Sequence, residues 1–527
     1  MPDAAGLVAD IERRLRPLEI ALAEAWWETS THVSPEANER RERIELERRA
    51  LLADAGAFAA IRDARTAGTA TDPLVARQLD VLHDAFAPHQ IPEDLRRRLV
   101  ELEVEVEATF NTHRGEIAGR RVDDNEIREI LGSSGDAGER RAAWAASKQV
   151  GAEVAGRVRE LAGLRNEAAR RLGYRDHFDL ALATGELDEE RLFATLADVD
   201  RLTAAPFARW KATLDGALGE RFGCAPADLR PWHYDDPFFQ EPPAAGAVDL
   251  DPVFEHADIE ALTLRTYDGL GLDLRPVLER SDLYARDAKS QHAFCIDIDR
   301  EGDVRVLCNV EPNERWMETM LHEFGHATYD REIETTLPWL LRGAAHALTT
   351  EGVAMLFGRL PRDPAWLEPV ARVAPSTLAE LAPRLTAARR AGLLVFARWV
   401  LVMTNFERGL YADPAADHEA RWWELVERFQ LLRRPDGDGV DAAWAAKVHL
   451  TVAPVYYQNY LYGELVASQL AAAVDERADG LVDSATAGRF LVDAFFRPGA
   501  SQRWDRLVER ATGAPLSAAA FGRQLAG

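Results

Sequence analysis

Apolar side chains recurring every three or four residues dominate this 527-residue chain, and that period commits most of it to helices packed on helices. Stretches such as ELERRALLADAGAFAAIRDA (45–64), DLRRRLVELEVEVEATFNTH (94–113) and RVRELAGLRNEAARRLG (157–173) combine the period with abundant Ala, Leu, Arg and Glu. These side chains lose little freedom in a helix. The N-terminal run MPDAAGLVADIERRLRPLEIALAEAWW carries acids early and no uninterrupted apolar core, so it predicts an amphipathic helix rather than a secretion signal. By length alone the chain could hold two to four domains, and no repeat or low-complexity linker marks a clean cut between them.

Two segments break the helical pattern. From Arg230 to Pro252, five prolines and an aromatic cluster forbid a continuous helix, leaving a hinge or an ordered loop. From His292 to Val310, HAFCIDIDREGDVRVLCNV alternates apolar and polar residues on both sides of REGD, which predicts a β-hairpin with a Gly-bearing turn. Such a hairpin either covers the core or offers a free edge on which an extended peptide is held by backbone hydrogen bonds.

A net charge of −25 leaves no general basic surface for nucleic acid or anionic lipid, so neither partner is expected. No apolar run reaches the length of a membrane span. Cys224, Cys295 and Cys308 lack CxxC spacing and fit free thiols in a reducing compartment, which places the expected location in the cytoplasm.

The chemistry concentrates in TMLHEFGHATYD, Thr319 to Asp330. On a helix, His322 and His326 project from one face, one turn apart, so two imidazole nitrogens can converge on one ion. Glu323 sits beside them as the base that takes a proton from water in zinc peptidases. Composition alone would give roughly 0.03 such matches in a chain of this length. A catalytic zinc needs a third protein ligand. The class with Gly and His just downstream is excluded, because Tyr329 and Glu332 occupy those positions. In HALTTEGVAMLFGRL, Glu351 is expected in the first turn of a second helix behind a Thr349–Thr350 cap, with His346 as the alternative ligand. Asp330, four residues after His326, is expected to accept a hydrogen bond from a ligand imidazole, unless it is a solvated helix-end acid. Farther on, AKVHLTVAPVYYQNYLYGEL sets His449 before Tyr456, Tyr457, Tyr460 and Tyr462, a density of phenols and imidazole able to donate to an oxyanion. Buried tyrosines with satisfied hydroxyls are the alternative.

These residues resemble the zinc peptidases that include angiotensin-converting enzyme and the related thimet-type oligopeptidases. LHEFGH followed by LRGAAHALTTEG is similar to that family's metal helix and the later helix carrying its glutamate ligand, which favours Glu351 over His346. The SDLYARDAKSQHAF stretch resembles the segment ahead of the oligopeptidases' substrate strand, and His292–Ala293 resembles a substrate-contacting pair of the converting enzymes. LAEAWWETST and LRNEAARRLGYRDHFDLAL extend the likeness across nearly the whole chain. In that family a His precedes two tyrosines spaced three apart, a pattern that fits His449, Tyr457 and Tyr460, the second tyrosine supporting the oxyanion. AKVH is similar to the converting-enzyme stretch in which a lysine binds the substrate's terminal carboxylate, so Lys447 and Tyr457 are the implied clamp. Departures are one extra residue between His449 and the tyrosine pair, Met355 where the converting enzymes have an acid, and no recognisable counterpart of their clamp glutamine.

The resemblance implies a single peptidase unit over 1–527, a mostly α, two-lobed helical zinc peptidase with a central channel and a small β-hairpin next to the metal helix, its active-site segments at 290–360 and 446–465. It implies one zinc per chain on His322, His326 and Glu351, and an oligopeptide substrate from which C-terminal dipeptides are released. An oligoendopeptidase, a non-catalytic peptide-binding homologue and a zinc hydrolase of a non-peptide amide are the alternatives. Glu323 argues against the pure binder, which has no use for the base.

Overall fold

The computed structural model describes residues 3–68, 70–243, 248–436, 440–478 and 480–525. Helices dominate, and the only strands among the described residues form two antiparallel pairs, Gly115–Ile117 with Arg120–Val122 and Phe294–Asp297 with Val304–Leu307. The mostly α expectation holds. Among the described residues no helix is long and apolar enough to cross a membrane.

The chain folds into two compact units, each assembled from three separate stretches. The first contains Met1–Gln90, Val248–Leu385 and Tyr462–Phe521, and the second Ile91–Ala247, Thr386–Leu461 and Gly522–Gly527.

In the first unit, helices Ala4–Thr31, Pro35–Leu52, Ala55–Thr66 and Pro73–Phe86 enclose Ile11, Leu52, Ile61, Leu82 and Phe86, with Trp339 and Leu340 packed among them. Ile61, Leu82 and Phe86 are wholly buried, and each such side chain contributes about 1.5–3 kcal/mol. The stretch 45–64, read as one periodic run, is two helices. Asp54 interrupts it, because its carboxylate accepts from the N–H groups of Gly56 and Ala57 (3.0 and 3.1 Å) and caps a new helix. The HExxH segment lies on the helix Glu314–Glu332, and the Tyr267 hydroxyl donates to Leu321 O on that helix (2.8 Å).

The second unit is built on long helices, Ala137–Arg171, Glu189–Phe222 and most of Pro375–Ala412, joined by His418–Gln430. Of the two readings of the proline-rich segment, the described part is an ordered loop. Arg140 Nε donates to Trp232 O (2.8 Å), Trp144 Nε1 to Pro237 O (3.0 Å) and Gln430 Nε2 to Phe239 O (2.8 Å), satisfying carbonyls that no helix could serve. Residues 244–247 of that segment lie outside the described residues.

Candidate active site

Asn313 accepts from Trp316 N–H (3.0 Å) and starts the motif helix, which places His322 and His326 one turn apart with ring centroids 5.0 Å from each other. Gly325, between them, lets a second helix come close: a Cβ there would lie 2.9 Å from Ala354 Cα. Ala354 belongs to Ala347–Gly358, the helix that carries Glu351. His322 Nε2 and Glu351 Oε2 are 3.8 Å apart, and one donor atom from each of His322, His326 and Glu351 lies within 4.8 Å of the others.

The cap of that second helix differs from the expectation. His346 is the N-cap, its Nδ1 accepting from Leu348 N–H (3.0 Å) while its own N–H donates to Thr349 Oγ1 (3.2 Å). An imidazole can cap here because its ring nitrogen reaches the first free N–H groups as a Ser or Asp oxygen does. Glu351 therefore stands past the first turn, and Thr350 is a helical residue whose Oγ1 lies 2.7 Å from His326 Nδ1. With Nδ1–H donating to that hydroxyl, the Nε2 lone pair of His326 is left for a ligand. The same place was expected for Asp330, and that is corrected. Asp330 instead faces the hairpin strand, its carboxylate 4.0 Å from Cys295 Sγ, because the strand packs against the helix at that turn. Burial and the neighbouring Asp297 push the Asp330 carboxyl up to about 8 against the pull of Arg300.

Burial governs the electrostatics. It lowers His322 to about 4 and, aided by His322, lowers His326 to about 3, so both imidazoles are neutral lone-pair donors at pH 7. Burial and Glu351 raise Glu323 to about 8, opposed by a backbone hydrogen bond from Cys295, and burial raises Glu351 to about 7. Two imidazoles and a carboxylate are a donor set that suits zinc. Ligand atoms about 2.1 Å from a tetrahedral ion stand about 3.4 Å apart, close to the 3.8 Å found, and a cation would offset the crowded carboxylates.

The predicted hairpin is present, with Phe294 opposite Leu307 and Asp297 opposite Val304. The far edge of Val304–Leu307 is occupied by Asp282, which donates from N–H to Val306 O and accepts from Cys308 N–H (both 2.9 Å). Among the described residues, Phe294–Asp297 is paired as a strand on one edge alone. His292, exposed, and Ala293, half-buried, lead into that strand.

Within the second unit, the segment after Lys447 gathers the remaining candidates. Lys447 Nζ donates to Gln240 Oε1 (2.8 Å) and lies 5.2 to 5.7 Å from the ring centres of Phe238, Trp399 and Tyr457. Burial lowers its ammonium to about 8, with Asp236 opposing. The ring of His449 is 5.0 Å from that of Tyr457, which is 5.7 Å from that of Tyr460. Burial and Lys447 lower His449 to about 4, and burial raises the Tyr457 phenol. Gln240 was missed by sequence reasoning. Its signal, a glutamine behind paired phenylalanines in the irregular loop, carries no spacing that ties it to Lys447.

A mostly helical scaffold that brings two histidines one turn apart to a glutamate on the adjoining helix has the layout of a metallopeptidase. Residues 2–199 match the family model described as angiotensin-converting enzyme, so the chain is similar to that zinc peptidase family over a stretch ending well before the HExxH helix. No curated protein matches the chain. The family resemblance thus has two separate supports, an N-terminal match and a motif helix that lies outside it.

Proposed function

We propose that this protein is a zinc-dependent peptidase that releases C-terminal dipeptides from oligopeptides. The observation that carries the reading is the convergence of His322, His326 and Glu351 beside Glu323. His322, His326 and Glu351 hold the metal, one per chain, which when bound supplies a Lewis acid to polarise the scissile carbonyl and acidify water. Glu323 takes the proton of the attacking water and delivers it to the leaving amine. Tyr460 and His449 donate to the oxygen that becomes negative. Lys447, with Tyr457 and the unforeseen Gln240, binds the substrate's terminal carboxylate, and the strand entered through His292–Ala293 supports the peptide backbone. Its three free thiols suit a cytoplasmic setting.

The test is mass spectrometry of the products from oligopeptides bearing a free or an amidated C-terminus. The free acids should lose dipeptides, amidation should lower kcat/KM about 10- to 100-fold, and Glu323→Gln should abolish turnover by roughly 10³-fold while retaining zinc. Equal cleavage of acids and amides at internal bonds would make the protein an oligoendopeptidase. Near-normal turnover by Glu323→Gln would remove the peptidase mechanism altogether.

A further inference from the structure

Between His449 and Tyr457 the chain makes a turn at a backbone conformation that its sequence does not favour. Val455 has φ +55°, in the left-handed region where a β-branched side chain clashes with its own backbone, and it is 5 % exposed. Such a residue persists only where its surroundings over-determine it. Two buried side chains do so here.

Glu407, on the helix Pro375–Ala412, is 1 % exposed, and its Oε1 accepts from Val455 N–H (2.8 Å). Gln458 Nε2 holds Val455 O (2.5 Å) from the other side. One turn before the strained residue, the buried Arg165 donates to Leu450 O (3.0 Å) and Thr451 O (2.7 Å), the carbonyls of the short helix His449–Val452. Arg165 is itself fixed by Glu103 Oε1 (2.7 Å) and the Tyr411 hydroxyl (3.2 Å). Tyr411 follows Glu407 by four residues, so both arise from one helix face. The segment is thus clamped on both sides of its turn, and what it joins is the helix beginning at His449 to the helix beginning at Tyr457.

We propose that Glu407, with Arg165, is a positioning residue for the peptidase reaction: by accepting from Val455 N–H it holds the strained turn that aims His449, Tyr457 and Tyr460. This rests on the function proposed above for those three side chains. The carboxyl needs to be an acceptor rather than a charge. Burial pushes it up to about 8 against Val455 N–H and Arg165, so its protonated form is already populated near neutral pH, and an amide reproduces the shape and the accepting oxygen.

The experiment is a double-mutant cycle on the full chain, reading kcat, KM, zinc content and Tm for Glu407→Gln and Glu407→Met, each in the wild-type and Tyr460→Phe backgrounds. Glu407→Gln should stay within about threefold of its parent. Glu407→Met should lower kcat by roughly 10- to 100-fold with zinc retained, since small misplacements of reacting groups cost that much. In the Tyr460→Phe background the same Met substitution should cost several-fold less in kcat than in the wild type, because one of the three groups it positions is already gone. Equal losses in both backgrounds, or a Gln variant as weak as Met, overturns the proposal. If Tyr460→Phe alone leaves kcat at the wild-type value, the oxyanion role in the proposed function fails, and the positioning role falls with it. Should Glu407→Met not fold, Arg165→Lys takes its place, since a lysine loses the forked contact to Leu450 and Thr451. Additivity with Tyr460→Phe overturns the proposal there too.

Discussion

Thr350 illustrates how much a single hydroxyl can decide. It sits 2.7 Å from His326 Nδ1 and, as acceptor from that nitrogen, leaves Nε2 free for a ligand. Thr350→Val keeps the shape and removes the partner, so zinc affinity should fall by about 10- to 100-fold, as read by competition with a chromophoric chelator. Unaltered affinity would assign that hydroxyl to helix packing. Lys447 makes a second residue-level case. Its ammonium is lowered by burial from an ordinary 10.5 to about 8, so it is charged at pH 7 and neutral above the shifted value. The KM of free-acid peptides should therefore rise roughly tenfold from pH 7 to 9, with little change for amidated ones. For folding the sign is the opposite: between about 8 and 10.5 the unfolded chain binds the extra proton, so this residue's contribution to stability increases with pH through that window.

At the scale of elements, the convergence of His322, His326 and Glu351 depends on how closely two helices approach. Gly325→Ala puts a methyl 2.9 Å from Ala354 Cα, which the backbone cannot yield without moving Glu351 away from the histidines. Overpacking of this kind costs about 1–3 kcal/mol, and both Tm and zinc retention should drop. Gly216, in the helix Glu189–Phe222 with nothing within 4 Å of its would-be Cβ, is the control, and Ala there should leave Tm equal or higher. The elements differ in how readily the sequence discloses them. The motif helix is legible because its chemistry repeats at the helical period, and the hairpin because alternation changes on either side of a glycine turn. The cap at His346 is not, since histidine is a weak capping signal beside two threonines, and the misplaced cap hid Thr350 as the partner of His326. Gln240 escaped for another reason. Its pairing with Lys447 spans two hundred residues of chain and comes from an irregular loop, where no periodicity relates one side chain to another.

For the whole molecule, the crowded carboxylates of Glu323 and Glu351 would tie the proposed metal to stability. Removing zinc with a chelator should lower Tm, and adding it back should restore the loss. Saturation a thousandfold above Kd contributes about 4 kcal/mol, so an identical Tm with and without metal excludes a bound ion at this site. The way the chain is divided also bears on its birth. It passes from one unit to the other after Gln90, Ala247, Leu385, Leu461 and Phe521, so neither unit is a continuous piece of the polypeptide. During synthesis the helices carrying His322, His326 and Glu351 leave the ribosome long before Tyr462–Phe521, the stretch whose Gly463 and Val466 close against Glu351 and Gly352. A nascent chain stalled at residue 400 would thus carry all three proposed ligands and Glu323, yet lack their cover. Until Tyr462–Phe521 has been made, the helix that bears Glu351 lacks the side chains that pack against it, so the order of synthesis leaves the proposed metal site open after its ligands are in place.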